Sequence, residues 1–144
     1  VIAFRGTDDP FPYGPDWISS NICWVSGCIP LQYHDAKKIF NDISLQFPQY
    51  NKILTGHSLG GGLAQLLAIE NDDVLAVTFD APGALLPARK LFENELISKN
   101  EKNIIAYVST VNIVNTAGEH IPKKLKEIDD PAFFNYCQEY YPQF

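Results

Sequence analysis

The stretch Gly56-His57-Ser58-Leu59-Gly60 reads G-x-S-x-G, and its setting constrains the fold more than any other part of this chain. It lies between a short apolar run, Ile53-Leu54-Thr55, and a small-residue helical pattern, Gly61-Gly62-Leu63-Ala64-Gln65-Leu66-Leu67-Ala68. A serine presented on a sharp strand-to-helix turn needs glycine on both sides so that the backbone can close. The context therefore reads as a nucleophile elbow, and it predicts that Ser58 attacks an acyl carbon.

Strand-like runs at Val1–Arg5, Lys52–Gly56, Val74–Phe79 and Asn103–Val108 alternate with segments of helical period. His34–Phe47 carries Ala36, Ile39, Phe40, Ile43 and Phe47 at steps of three and four, one apolar stripe that Pro48 terminates. Gly61–Glu70 reads as a second helix, ended by Asn71-Asp72-Asp73, and Pro87–Ile97 as a third with its proline in the first turn. Strands joined by helices of ten or more residues pair in parallel through right-handed crossovers. The expected fold is α/β: a partial α/β-hydrolase fold, mainly parallel, with helices on both faces. In such sheets function collects at the carboxyl ends of the strands.

Composition bounds the rest. With 46% hydrophobic and 19% charged residues, 144 residues form one domain with a sizeable core. There is no methionine, and the chain opens inside a strand-like run, so residues 1–144 are expected to be a single truncated domain. A net charge of −6 argues against a nucleic-acid partner, since phosphate neutralisation needs clustered cations. The one basic cluster, Lys123, Lys124 and Lys126, reads as a solvated face. Cys23, Cys28 and Cys137 lack C-x-x-C spacing, which leaves the redox compartment open and gives no zinc site; no metal or cofactor is expected. No apolar run is long enough to span a membrane.

A serine hydroxyl is a weak nucleophile until a base takes its proton, so Ser58 requires a histidine. His57 is locked within the elbow and should project away from Ser58; His34 opens an amphipathic helix and reads as surface. His120, in the glycine-containing loop Thr116-Ala117-Gly118-Glu119-His120 beyond the last strand, is the candidate base. Ser before His is the chain order of α/β-hydrolases, with the acid between them. The alternative is a loop histidine, with the base lying beyond Phe144.

Four segments together carry a resemblance: Val1-Ile2-Ala3-Phe4-Arg5-Gly6-Thr7, then Asp16-Trp17-Ile18, then Gly56-His57-Ser58-Leu59-Gly60-Gly61, then Thr78-Phe79-Asp80-Ala81-Pro82. In this order they resemble the class 3 (fungal-type) triacylglycerol lipase family over about residues 1–116. The resemblance implies a serine acyl hydrolase acting on lipid-like esters, met at a membrane or lipid-droplet surface. It implies that Thr7 helps form the oxyanion hole, to which the Leu59 amide at a helix start adds a second donor. The other reading of Thr7 is a turn residue at a strand end. Asp8–Leu31 occupies the place of the family's mobile lid, which makes Trp17, Ile18 and Trp24 candidate lid or substrate-binding residues, with core packing as the alternative.

The acid departs from the family pattern. The family's aspartate falls in a D-I-V-P-like motif, where this chain has Asn112-Ile113-Val114-Asn115. Asn112 can accept a hydrogen bond from imidazole, yet it offers no charge to an imidazolium. One strand earlier, Asp80 replaces a glycine of the family's T-F-G-x-P. A carboxylate gained there and lost at Asn112 suggests that the acid has moved to Asp80, with Asn112 as the alternative position. Two classes of function stand side by side: a lipase-like serine ester hydrolase, and a catalytically weak lipase-fold module that binds lipid or a protein. G-x-S-x-G by itself also fits a serine peptidase or an acyltransferase.

Overall fold

A computed structural model describes residues 1–6, 24, 26–109, 114–122 and 125–128. Its elements, in order, are β1 (Ile2–Phe4), α1 (Leu31–Gln46), β2 (Ile53–His57), α2 (Leu59–Glu70), β3 (Leu75–Phe79), α3 (Leu85–Leu91), α4 (Asn94–Asn100), β4 (Ile104–Val108) and β5 (Lys126–Glu127). The five strands form one sheet in the order β1-β2-β3-β4-β5, every pair parallel. The parallel α/β reading of the sequence therefore holds, and its four strands appear within a residue or two of their expected limits.

The centre of the molecule is α2, apolar on all sides and buried from Leu59 to Ile69. It packs on β1, β2 and β3, where Leu54 and Ala76 face it with no solvent exposure. On one flank Tyr33 of α1 donates a 2.8 Å hydrogen bond to Glu70, which Lys37 also meets as an ion pair. Burial and the Glu70 carboxylate push the Tyr33 phenol well above its ordinary range. On the other flank, Asn100 at the end of α4 donates to the Ile69 carbonyl at 2.9 Å and to Asp72 at 3.0 Å.

The helices differ from expectation in three respects. First, α1 begins at Leu31, and its buried stripe is Tyr33, Ala36 and Phe40, with Ile43 partly buried. Ile39 is 49% exposed because it falls at the rim of that stripe at 100° per residue, and Phe47 is 41% exposed because it lies past the last turn. Second, the single helix expected over Pro87–Ile97 is two, broken where Phe92 and Glu93 are extended. Third, the described helices form one layer. A sheet whose order advances in one direction through right-handed crossovers places every connection on the same side. The opposite face carries Thr55, Leu75, Val77, Ile105 and Tyr107, all half-buried, with Ile53 and Phe79 exposed. There Phe79 stacks on Tyr107 at 5.6 Å, and the Lys126 ammonium lies 5.4 Å over the same Tyr107 ring.

Trp24 is fully buried, its ring against the backbone of Gly62 and its indole N–H donating to the Gly83 carbonyl at 2.8 Å. Cys28 is disulfide-bonded. No helix among the described residues is long and apolar enough to cross a membrane.

Candidate functional site

Ser58 stands where β2 becomes α2, with φ 54° and ψ −132°, a combination that residues bearing a Cβ seldom adopt. The conformation is held from both sides. The Ser58 N–H donates to the Phe79 carbonyl at 3.1 Å, and the Ser58 carbonyl accepts from Gly61 at 2.9 Å and Gly62 at 3.2 Å. The flanking glycines are required by contact as well as by torsion. A methyl group on Gly60 would sit 2.2 Å from the Phe4 carbonyl oxygen, and one on Gly56 would sit 2.4 Å from the Gly60 carbonyl carbon. The first turn of α2 is thereby pressed against the end of β1, and Gly6 faces the Ser58 Cβ. Leu59 opens α2, where helix geometry leaves the leading N–H groups without intrahelical acceptors.

The next two strand ends supply the other candidates. Asp80, one residue past β3, has φ 43°, and its N–H donates to the Tyr107 carbonyl at 2.9 Å. Its carboxylate accepts hydrogen bonds from the Ser109 N–H at 2.8 Å, the Ser109 hydroxyl at 2.8 Å and the Asn115 amide at 2.9 Å. Ser109 is itself one residue past β4, so Ser58, Asp80 and Ser109 each directly follow the last residue of a strand.

His120 is half-buried. Its Nε2 lies 2.6 Å from the backbone carbonyl of Asn115, while its Nδ1 is buried with no partner among the described residues. The loop that carries it is fastened to the loop after β3: Gly83 donates to the Ala117 carbonyl at 2.7 Å and Leu85 to the Glu119 carbonyl at 2.9 Å. A methyl group on Gly83 would lie 2.4 Å from the Gly118 carbonyl carbon, so the two backbones touch.

Among the described residues no hydrogen bond joins Ser58 to His120, and His120 reaches Asp80 through Asn115 rather than directly. Thr7, Trp17, Ile18 and Asn112 lie outside the described residues. Trp24, offered from sequence as a lid or core residue, faces α2 rather than solvent. His57 is exposed on the outer sheet face, in register with Phe79, and His34 is exposed on α1 beside Tyr33. Sequence reasoning passed over Asn115 and Ser109. The signal for Ser109 was its place one residue past a strand; Asn115 closes the Asn112-Ile113-Val114-Asn115 segment, whose first residue, Asn112, matches the family's aspartate.

The fold is that of a parallel α/β protein of lipase type, with the candidate site residues Ser58 and Asp80 at the carboxyl ends of its strands. The chain belongs to the phospholipase-like family, whose Tle-like phospholipase domain matches residues 1–126. Among curated proteins it is 48% identical over 59 residues to "Putative lipase ATG15" of Candida glabrata, covering 41% of this chain and 12% of that protein. It is 39% identical over 83 residues to "Extracellular phospholipase A1" of Serratia liquefaciens, covering 58% of this chain and 24% of that protein. A further "Putative lipase ATG15", from Mycosarcoma maydis, is 34% identical over 88 residues, covering 60% of this chain and 17% of that protein. The chain thus spans less than a quarter of the length of these relatives. No solved structure matches it.

Proposed function

We propose that this chain forms the reactive core of a serine hydrolase that cleaves carboxylic esters of lipids, with a phospholipid acyl ester as the favoured substrate class. The observation that carries the reading is Ser58, held in a disfavoured conformation at the junction of β2 and α2. A fold retains such strain when the geometry it creates is used. Ser58 Oγ attacks the ester carbonyl while His120 takes its proton and then returns it to the leaving alkoxide. The Leu59 amide, reinforced by the positive end of α2, donates to the developing oxyanion, and Thr7 supplies the second donor. Asp80 is the acid in this scheme, and the apolar segment around Trp17 and Ile18 meets the lipid. The phospholipase name of the family and of the Serratia relative supports the choice of substrate.

A fluorophosphonate probe tests this reading on the intact protein. Covalent labelling that disappears in Ser58→Ala, together with fatty-acid release from phosphatidylcholine vesicles, is the expected result. Absence of both would support the second reading, a lipid-binding module without turnover. That second reading draws on one observation: both Asp80 oxygens are engaged by Ser109 and Asn115, as in a carboxylate whose task is to fasten loops.

A further inference from the structure

Parallel sheets are ordinarily covered on both faces, because apolar side chains project from each. The described helices cover one face of this sheet. On the other, the strand register sets Phe79, Tyr107 and Lys126 in one row and Thr55, Val77 and Ile105 in the next. Phe79 is 40% exposed, and its neighbours in these rows are half-buried or exposed. Among the described residues no helix lies over them.

The chain carries a cover of the right kind in the right place. β5 ends at Glu127 on the edge of this sheet, and residues 129–144 follow it almost directly. Six of those sixteen residues are aromatic, against 12% of the whole chain, so the segment has the apolar area that such a face requires. Phe133, Tyr136, Cys137 and Tyr140 stand at i, i+3, i+4 and i+7, Asn135, Gln138 and Glu139 fall on the opposite side, and Asp130-Pro131 is a helix-start signal. The lengths agree. From β5 to β2 is three strand spacings, roughly 14 Å, and a helix over 131–141 would span about 16 Å. Charge agrees as well: Asp129, Asp130 and Glu139 are complementary to the Lys126 ammonium that lies over Tyr107, and the segment holds no Lys or Arg.

We propose that residues 129–144 turn back from β5 and lie as an amphipathic helix across the open face of the sheet, with Phe133, Tyr136, Cys137 and Tyr140 against the rows of Phe79 and Val77. Docked in this way, the segment closes the apolar core on the side that the described helices leave open. It does so whether or not Ser58 is reactive. The arrangement also fixes a disulfide. Cys28 is bonded, and the chain's other cysteines are Cys23 and Cys137. Cys28 belongs to the helix layer, where its neighbour Gly27 meets Leu86 and Lys90 of α3, and Lys90 donates to the Ser26 carbonyl at 3.2 Å. A Cys137 on the open face has the sheet between itself and Cys28, farther than the roughly 4–7 Å between Cα atoms that a disulfide spans. The partner of Cys28 is then Cys23, and Cys137 stays a buried thiol.

Photo-crosslinking on the intact protein tests the docking. The photoreactive residue p-benzoylphenylalanine is placed at position 79, irradiated at low protein concentration, and its adduct mapped by mass spectrometry. An adduct within residues 129–144 is expected, and it should be lost when Tyr136→Asp and Tyr140→Asp together put charges on the apolar stripe. An adduct to any other part of the protein or to a second copy, an adduct that persists in the doubly substituted protein, or no adduct at all overturns the proposal. A second measurement needs no substitution and so stands even where the label disturbs folding. Non-reducing peptide mapping with thiol alkylation is expected to find Cys23 joined to Cys28, and Cys137 alkylated only after unfolding. A bond between Cys28 and Cys137 would carry the segment to the helix layer and overturn the proposal, as would a Cys137 thiol that reacts at once in the native protein.

Discussion

Replacing Ser58 by glycine should make the protein more stable while removing its reactivity. At φ 54° and ψ −132° a side chain crowds its own backbone, and a residue held in so sparsely populated a region costs about 1–3 kcal/mol. Glycine has no such cost, but it loses more freedom on folding, an opposing term of roughly 0.5–1 kcal/mol. The difference leaves a net gain of about 0–2.5 kcal/mol for Ser58→Gly. Alanine retains the Cβ and hence the strain, so Ser58→Ala is the control that isolates the effect. The Ser58 N–H bond to Phe79 and the bonds from Gly61 and Gly62 survive in both variants because all are main-chain. At about 2–4 °C per kcal/mol for a chain of this size, Ser58→Gly should melt up to roughly 10 °C above Ser58→Ala. Urea unfolding and calorimetry on both proteins, with nitrophenyl-ester hydrolysis lost in each, form the assay. A glycine variant melting at or below the alanine variant would refute the argument that the elbow stores strain.

Other substitutions probe separate links. His120→Ala should lower ester hydrolysis as far as Ser58→Ala does, because members of such a unit do not contribute additively; retained activity would put the base elsewhere in the protein. Asp80→Asn should reduce kcat by about 10³–10⁴, and Asn112→Asp should change little; a strong gain from Asn112→Asp with Asp80→Asn silent would return the acid to position 112. Gly60→Ala should destabilise by more than the roughly 1–3 kcal/mol of ordinary overpacking, since its methyl meets the immovable Phe4 carbonyl at 2.2 Å; a melting temperature close to that of the unsubstituted protein would show that the elbow has slack. Hydrogen bonds from Lys99 and Asn100 hold the Asp72 carboxyl below its ordinary range. Its contribution to stability is therefore present above the unfolded-state value and lost as pH falls through the folded one. The penalty of Asp72→Asn, measured by urea unfolding at neutral pH, should vanish in strong acid.

The strands and the elbow were legible because they rest on local signals: apolar runs of four to six residues, and glycines at fixed offsets from Ser58. The break at Phe92–Glu93 was not, because no glycine or proline marks it. The apolar pattern runs on through both short helices, which each bury a residue in the core, Ala88 and Ile97. Ile39 misled because steps of three and four admit positions on the rim of a stripe as readily as at its centre. The two-residue β5 carries only charged side chains and announces nothing. At the site, Ser58, Asp80 and His120 stood out by chemistry and by place after a strand. Asn115 did not, because its contact with His120 is through a main-chain carbonyl, which any residue type presents.

The two rungs that fasten the His120 loop, Gly83 to Ala117 and Leu85 to Glu119, lie outside the sheet yet join segments more than thirty positions apart. Breaking either rung frees both segments at once, so they should open together in a single event rather than fray one after the other. Amide hydrogens of Gly83 and Leu85 would then exchange with solvent at one common rate, the rate at which His120 leaves its place. Hydrogen exchange at these two amides thereby times, without substrate, how often the loop that carries His120 parts from the loop after β3 and returns.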